Sequence, residues 1–149
     1  MSLSRLLVAI VAGLVAGGCG TSTPTGPSPG TGPLTGTWTG TLERPGAVHT
    51  VRLDLTDDSF GSGSIVSGRY TTSDASGAIA DTGSVGGVVT NSAVSMRLNP
   101  SQAPPCEVGT IVPPGTVLMT LTLTGRQLSG NGVLVRCGDE LLITASFSR

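Results

Sequence analysis

From residue 34 to residue 149, apolar side chains alternate with others in runs of five to nine residues broken by Gly, Asp, Asn, Ser or Pro, and no stretch repeats them at the three-to-four spacing of a helix. Such a chain can bury its apolar side chains only as strands, each with one face inward. In the first run Gly36, Trp38, Gly40 and Leu42 share one face, and Thr37, Thr39 and Thr41 the other. The second run turns Val51, Leu53 and Leu55 inward, Arg52, Asp54 and Thr56 outward, and reaches an expected turn at Asp57-Asp58-Ser59. A third run, 64–72, ends at Ser73-Asp74-Ala75-Ser76-Gly77, which has turn chemistry throughout. Runs four and five, 83–89 and 93–98, flank Asn91-Ser92. After a proline-rich loop, Val117, Met119, Leu121 and Leu123 alternate with Leu118, Thr120, Thr122 and Thr124. The seventh run covers 128–135, and the eighth carries Leu141, Ile143, Ala145 and Phe147 inward.

Eight short strands joined by short connections describe an antiparallel meander, and a sheet of that size curls closed because open edges invite aggregation. The expected fold is all-β, an eight-stranded antiparallel up-and-down β-barrel; a two-sheet β-sandwich is the alternative. Threonine suits the outer faces, since it favours strands and still offers water a hydroxyl. Glycines at Gly61-Ser62-Gly63, Gly86-Gly87 and Gly130-Asn131-Gly132 are expected to supply bulges and tight bends.

The first thirty-three residues carry no such pattern. Arg5, an uncharged run over 6–15 and the small residues Ala16-Gly17-Gly18 have the parts of a secretory signal, and the apolar run is far short of the ~20 residues a spanning helix needs. Ala16-Gly17-Gly18-Cys19 resembles the bacterial lipobox, whose cysteine is acylated and becomes the new N-terminus. The resemblance implies a signal peptide over 1–18, a lipid on Cys19 and export to the cell envelope, with the membrane as a partner. Gly20 stands where an aspartate would resemble an inner-membrane retention signal, so the outer membrane is the expected destination in a host that has one. Residues 20–33 contain only Gly, Thr, Ser and Pro and read, with Cys19, as a disordered tether over 19–33. Fourteen such residues would reach about 20 Å on average and roughly 45–50 Å when stretched.

What remains, 34–149, is the size of one domain. It holds seven arginines and no lysine (eight Lys plus Arg in the whole chain, less Arg5) against nine acidic residues. That balance excludes nucleic acid as a partner, which demands a basic stripe. With Cys19 assigned to lipid, Cys106 and Cys137 form an even pair in an oxidising compartment and are expected to be bridged. Closing that loop would stabilise the fold by roughly 3–4 kcal/mol in the chain-entropy model. Two cysteines and a single histidine are too few for the usual four ligands of structural zinc, so no metal and no cofactor is expected.

The chain resembles the lipocalin-like, or calycin-like, barrels in its strand count and in Gly36-Thr37-Trp38, the Gly-X-Trp of that superfamily's first strand. The resemblance implies that Trp38 plugs a closed end beneath an arginine from the end of the last strand, here Arg149. It departs from the family at Gly125-Arg126-Gln127, where a Thr-Asp-X-Tyr type turn is usual, and no helix follows the barrel.

In an antiparallel meander the loops after strands one, three, five and seven share one end, so Cys106 and Cys137 would meet there. The fifth loop, over 99–115, is long for a compact domain, and a long loop pinned by a disulfide suggests a task. Arg44, His49, Glu107, Arg136 and Asp139 are the candidate polar groups of a binding face at this mouth. Met96 and Met119 point inward as adaptable pocket lining, with Trp38 and Tyr70 as candidate aromatic contacts. His49 is the obvious group for acid–base work near neutral pH, but no spacing matches a calcium loop or a nucleophile elbow, and the expectation is a non-enzymatic protein. Few aromatic side chains argue against stacking on sugars. The leading expectation is a tethered binding module for a small apolar ligand. The alternatives are a protein-interaction module, resembling small disulfide-bonded barrels that inhibit secreted proteases, and a structural envelope lipoprotein.

Overall fold

The computed structural model describes residues 32–60, 63–103, 106, 114–137 and 139–149. Eight strands follow in chain order: β1 (Gly36–Arg44), β2 (Ala47–Phe60), β3 (Gly63–Ser73), β4 (Ile79–Thr90), β5 (Ala93–Pro100), β6 (Val117–Thr124), β7 (Gln127–Val135) and β8 (Glu140–Ser148). Each pairs antiparallel with its neighbours in sequence, and β8 returns to β1 with Gly40 opposite Phe147 and Leu42 opposite Ala145. The sheet is therefore a closed eight-stranded barrel. That last pairing decides against the sandwich, because two separate sheets would leave β1 and β8 as unpaired edges.

The period-two pattern fills the interior. Trp38, Val51, Leu53, Val94, Leu98, Leu121, Leu128 and Phe147 are almost wholly buried. Each such side chain contributes roughly 1.5–3 kcal/mol relative to exposure. Inward glycines let strands pack closely: a Cβ on Gly40 would run into the Ser146 carbonyl, and one on Gly130 into that of Thr120. The expectation that Gly86-Gly87 and Gly130-Asn131-Gly132 mark bulges is corrected here. Their pairing runs in unbroken register, and the register shift recorded in the ladders lies between Thr72 and Ser73.

A second correction concerns Asp57-Asp58-Ser59, which is not a turn. β2 continues through it to Phe60, with Asp57 opposite Val66 and Asp58 opposite Ile65. The cause lies outside the strand. Asp57 is fully buried, and its carboxylate Oδ2 accepts the Leu34 N–H at 3.0 Å. Its backbone N–H donates to Thr35 Oγ1 at 3.0 Å, and its carbonyl accepts the Gly32 N–H at 3.1 Å. The segment ahead of β1 thus lies against the end of β2, and packing reaches back to Gly32, two residues ahead of the expected domain start. A side chain at position 32 would collide with the Asp57 carboxylate.

This end of the barrel is shut. Trp38 is 0% exposed and donates its indole N–H to the Leu34 carbonyl at 2.8 Å. The Arg149 guanidinium stands 5.2 Å from the centre of the Trp38 ring and donates to the Thr35 carbonyl at 2.6 Å.

Candidate functional site

At the opposite end, where the connections after β1, β3, β5 and β7 gather, the interior is not filled. A cavity of about 230 Å³ opens there, lined by Leu42, Arg44, His49, Tyr70, Thr72, Ala80, Asp81, Leu98, Gly115, Val117, Leu134 and Ile143. The lining follows from strand alternation. Arg44 continues the inward face of Trp38 and Leu42 on β1, and His49 sits directly opposite Leu42, one step beyond Val51 on the inward face of β2. Tyr70 and Thr72 take the equivalent places on β3, and Asp81 faces Thr72 across the β3–β4 pair.

A side-chain hydrogen bond on the cavity wall joins Tyr70 to Asp81. The phenol donates to Asp81 Oδ2 at 2.5 Å, and Tyr70 is only 4% exposed. Burial, then the hydrogen bond to Asp81 and its negative charge, push the phenol well above the ordinary tyrosine range, so it stays protonated and donating. Arg44 forms no ion pair among the described residues. His49 Nδ1 is buried without a hydrogen-bond partner among them. No group of three or more His, Cys, Asp or Glu side chains gathers as a metal site among the described residues.

Cys106 and Cys137 are joined at this same end, with their Cα atoms 5.5 Å apart. The bridge ties the connection after β5 to the one after β7. A neighbouring pocket lined by Pro114, Gly115, Leu134, Arg136, Cys137 and Asp139 shares Gly115 and Leu134 with the cavity wall. Backbone bonds hold that wall: Gly115 donates to the Val135 carbonyl at 2.7 Å, and Arg136 to the Asp139 carbonyl at 2.8 Å.

The structure brings Arg44, His49 and Tyr70 together on the cavity wall and places Arg136 and Asp139 on the adjoining rim. The other candidates lie elsewhere. Trp38 belongs to the closed end. Met96 and Met119 face each other across the β5–β6 pair, 3% and 4% exposed, and their side chains pack in the core without reaching the mouth cavity. Glu107 and Cys19 fall outside the described residues. Leu42, Thr72, Ala80, Asp81, Leu98, Gly115, Val117, Leu134 and Ile143 complete the cavity and were not among the expected binding residues. Alternation could have found Asp81, since it shares a face with Gly83 and Val85, had β4 been started at Ile79.

The wall can hold an apolar body and satisfy a few polar atoms at its edge. No protein-family model, curated protein or solved structure matches this chain.

Proposed function

We propose that the chain is a membrane-tethered envelope lipoprotein whose barrel binds a small apolar molecule and catalyses no reaction on it. The single observation that carries this reading is the 230 Å³ cavity at the disulfide end, walled by Leu42, Leu98, Val117, Leu134 and Ile143. It exceeds the ~150 Å³ that suffices for benzene in an apolar cavity. It falls below the ~300–1,000 Å³ typical of sites for drug-sized ligands. A single ring or a short chain fits that range. The signal-like segment over 1–18, the lipobox-like Ala16-Gly17-Gly18-Cys19 and the Gly/Thr/Ser/Pro tether support anchoring through a lipid on Cys19, in the outer membrane of a host that has one. Gly32 lies at the end closed by Trp38, so a tether running ahead of it would leave the cavity mouth at the far end of the barrel.

Native mass spectrometry of the exported, processed protein after exposure to envelope extract tests both parts. A small adduct lost on denaturation, on a protein carrying an acyl mass at Cys19, is the expected result. A barrel that stays bare in extract rejects the ligand, and an unmodified Cys19 rejects the anchor.

One observation favours a second reading, docking of a protein partner at the mouth. Val48, Ile79 and Leu142 are 56%, 69% and 75% exposed, and each stands near the start of a strand at the open end. A partner recovered by cross-linking at these three positions would favour it.

A further inference from the structure

The cavity wall is divided. Its polar side chains, Arg44, His49, Tyr70, Thr72 and Asp81, all come from β1 to β4, while β5 to β8 offer Leu98, Val117, Leu134 and Ile143. Tyr70 and Thr72 already bond to Asp81, so a ligand that is apolar all round would leave Arg44 and His49 Nδ1 unmatched, and an unmatched polar group that loses water opposes binding.

The charges on that half are not equivalent. Asp81 already accepts the Tyr70 hydroxyl, whereas Arg44 is half-buried at the cavity edge with no counter-ion among the described residues. A guanidinium presents a planar fork of donors that matches a carboxylate in two parallel bonds. Asp81 on the same wall works against a doubly charged head, because like charges close together repel.

We infer that the cavity takes a compact, amphipathic monocarboxylic acid, which lies with its apolar face on β5 to β8 and sets its carboxylate on Arg44. The inference rests on the proposed ligand-binding role and adds the chemical class of the ligand. The volume limits that class to a single ring or a short chain, and the polar groups set to one side select an acid over a hydrocarbon.

Three probes of similar size separate the possibilities: benzoate, benzyl alcohol and toluene, titrated calorimetrically into the full chain as processed by its host. Benzoate is expected to bind at least about tenfold tighter than benzyl alcohol, the effect of one charge-assisted hydrogen bond. Arg44→Gln should bring the two to within about twofold, while Arg44→Lys should keep part of the preference. Should Arg44→Gln fail to fold, the Arg44 Nε–H resonance of the unaltered protein gives the same answer. It should shift on adding benzoate and stay in place on adding benzyl alcohol. Equal affinity for benzoate and benzyl alcohol, or an unmoved Arg44 resonance, overturns the acid and leaves the apolar cavity standing. No binding of any of the three overturns the cavity as a ligand site, and this inference with it.

Discussion

Leu34 donates its backbone N–H to the buried carboxylate of Asp57 at 3.0 Å, across 23 positions of sequence. With the bonds from Gly32 and to Thr35, this contact fastens the chain to the closed end before the first strand begins. Removing the acceptor strands a buried N–H. Asp57→Ala should therefore cost about 1–3 kcal/mol, and Asp57→Asn, which keeps a carbonyl oxygen, should cost less. Gly32→Ala should destabilise by a similar ~1–3 kcal/mol through overpacking against the carboxylate. Urea unfolding followed by the fluorescence of Trp38, the single tryptophan, measures all three.

Arg149 stacks on Trp38 and bonds the Thr35 carbonyl, so it closes the same end from the other terminus. Arg149→Ala should lower stability by about 0.5–1 kcal/mol for the exposed cation–π contact, and somewhat more with the hydrogen bond. Arg149→Lys should restore only part of it, since a lysine keeps the charge without the stacking plane. A double-mutant cycle with Trp38→Phe isolates the pair.

Tyr70 makes the barrel sensitive to alkali. Its folded-state pKa is raised by burial and by Asp81, so its contribution is complete below the unfolded tyrosine value near ~10 and is lost as pH rises beyond it. Stability should fall steeply above about pH 10, and Tyr70→Phe should flatten that fall. Because Tyr70 is the single tyrosine, tyrosinate absorbance should appear together with unfolding and not before it.

Asp74 governs the acid side of the β3–β4 connection. Its Oδ1 accepts the Ser76 hydroxyl at 2.6 Å, the Ser76 N–H at 2.8 Å and the Ala78 N–H at 3.1 Å. These bonds, the Ser76 hydroxyl first, lower its pKa. A lowered folded value stabilises above the unfolded pKa and loses that stabilisation as pH falls through the folded one. The Ser76 and Ala78 amide resonances should hold steady at neutral pH and shift together below the ordinary carboxylate range. Asp74→Ala should abolish that step.

The Cys106–Cys137 bridge spans 31 positions. Reduction, or the double change Cys106→Ser with Cys137→Ser, should lower stability by roughly 3–4 kcal/mol in the chain-entropy model. Unfolding with and without reductant compares the two forms.

Much of the fold is local information. Alternation in Leu53, Leu55, Val94, Met96, Leu98, Met119 and Leu121 sets each strand's inward face, because a one-residue slip would turn every one of these side chains to water. Asn91, at φ 57°, and Gly125, at φ 60°, mark tight turns by chemistry that reads directly from their residue types. The Cys106–Cys137 meeting was also legible, since strand order brings the pair to one end, and the Trp38–Arg149 contact is the one that the resemblance to lipocalin-like barrels implies.

Asp57 shows where that reading stops. Two adjacent aspartates and a serine have turn chemistry by themselves, and only contact with residues 32–35 makes Asp57 an interior strand position. The cavity is the same kind of fact. Alternation aims Arg44, His49 and Asp81 inward, but whether inward side chains fill a barrel depends on their combined volume across eight strands. At the closed end Trp38 and Phe147 fill it; at the other, Gly115, Ala80 and Thr72 are too small to, and the space remains. The sequence by itself determined the strands and the faces they bury, because those follow from neighbours two residues apart. Only the closed barrel decided which end is packed and which is hollow, because volume is summed around the ring and not along the chain.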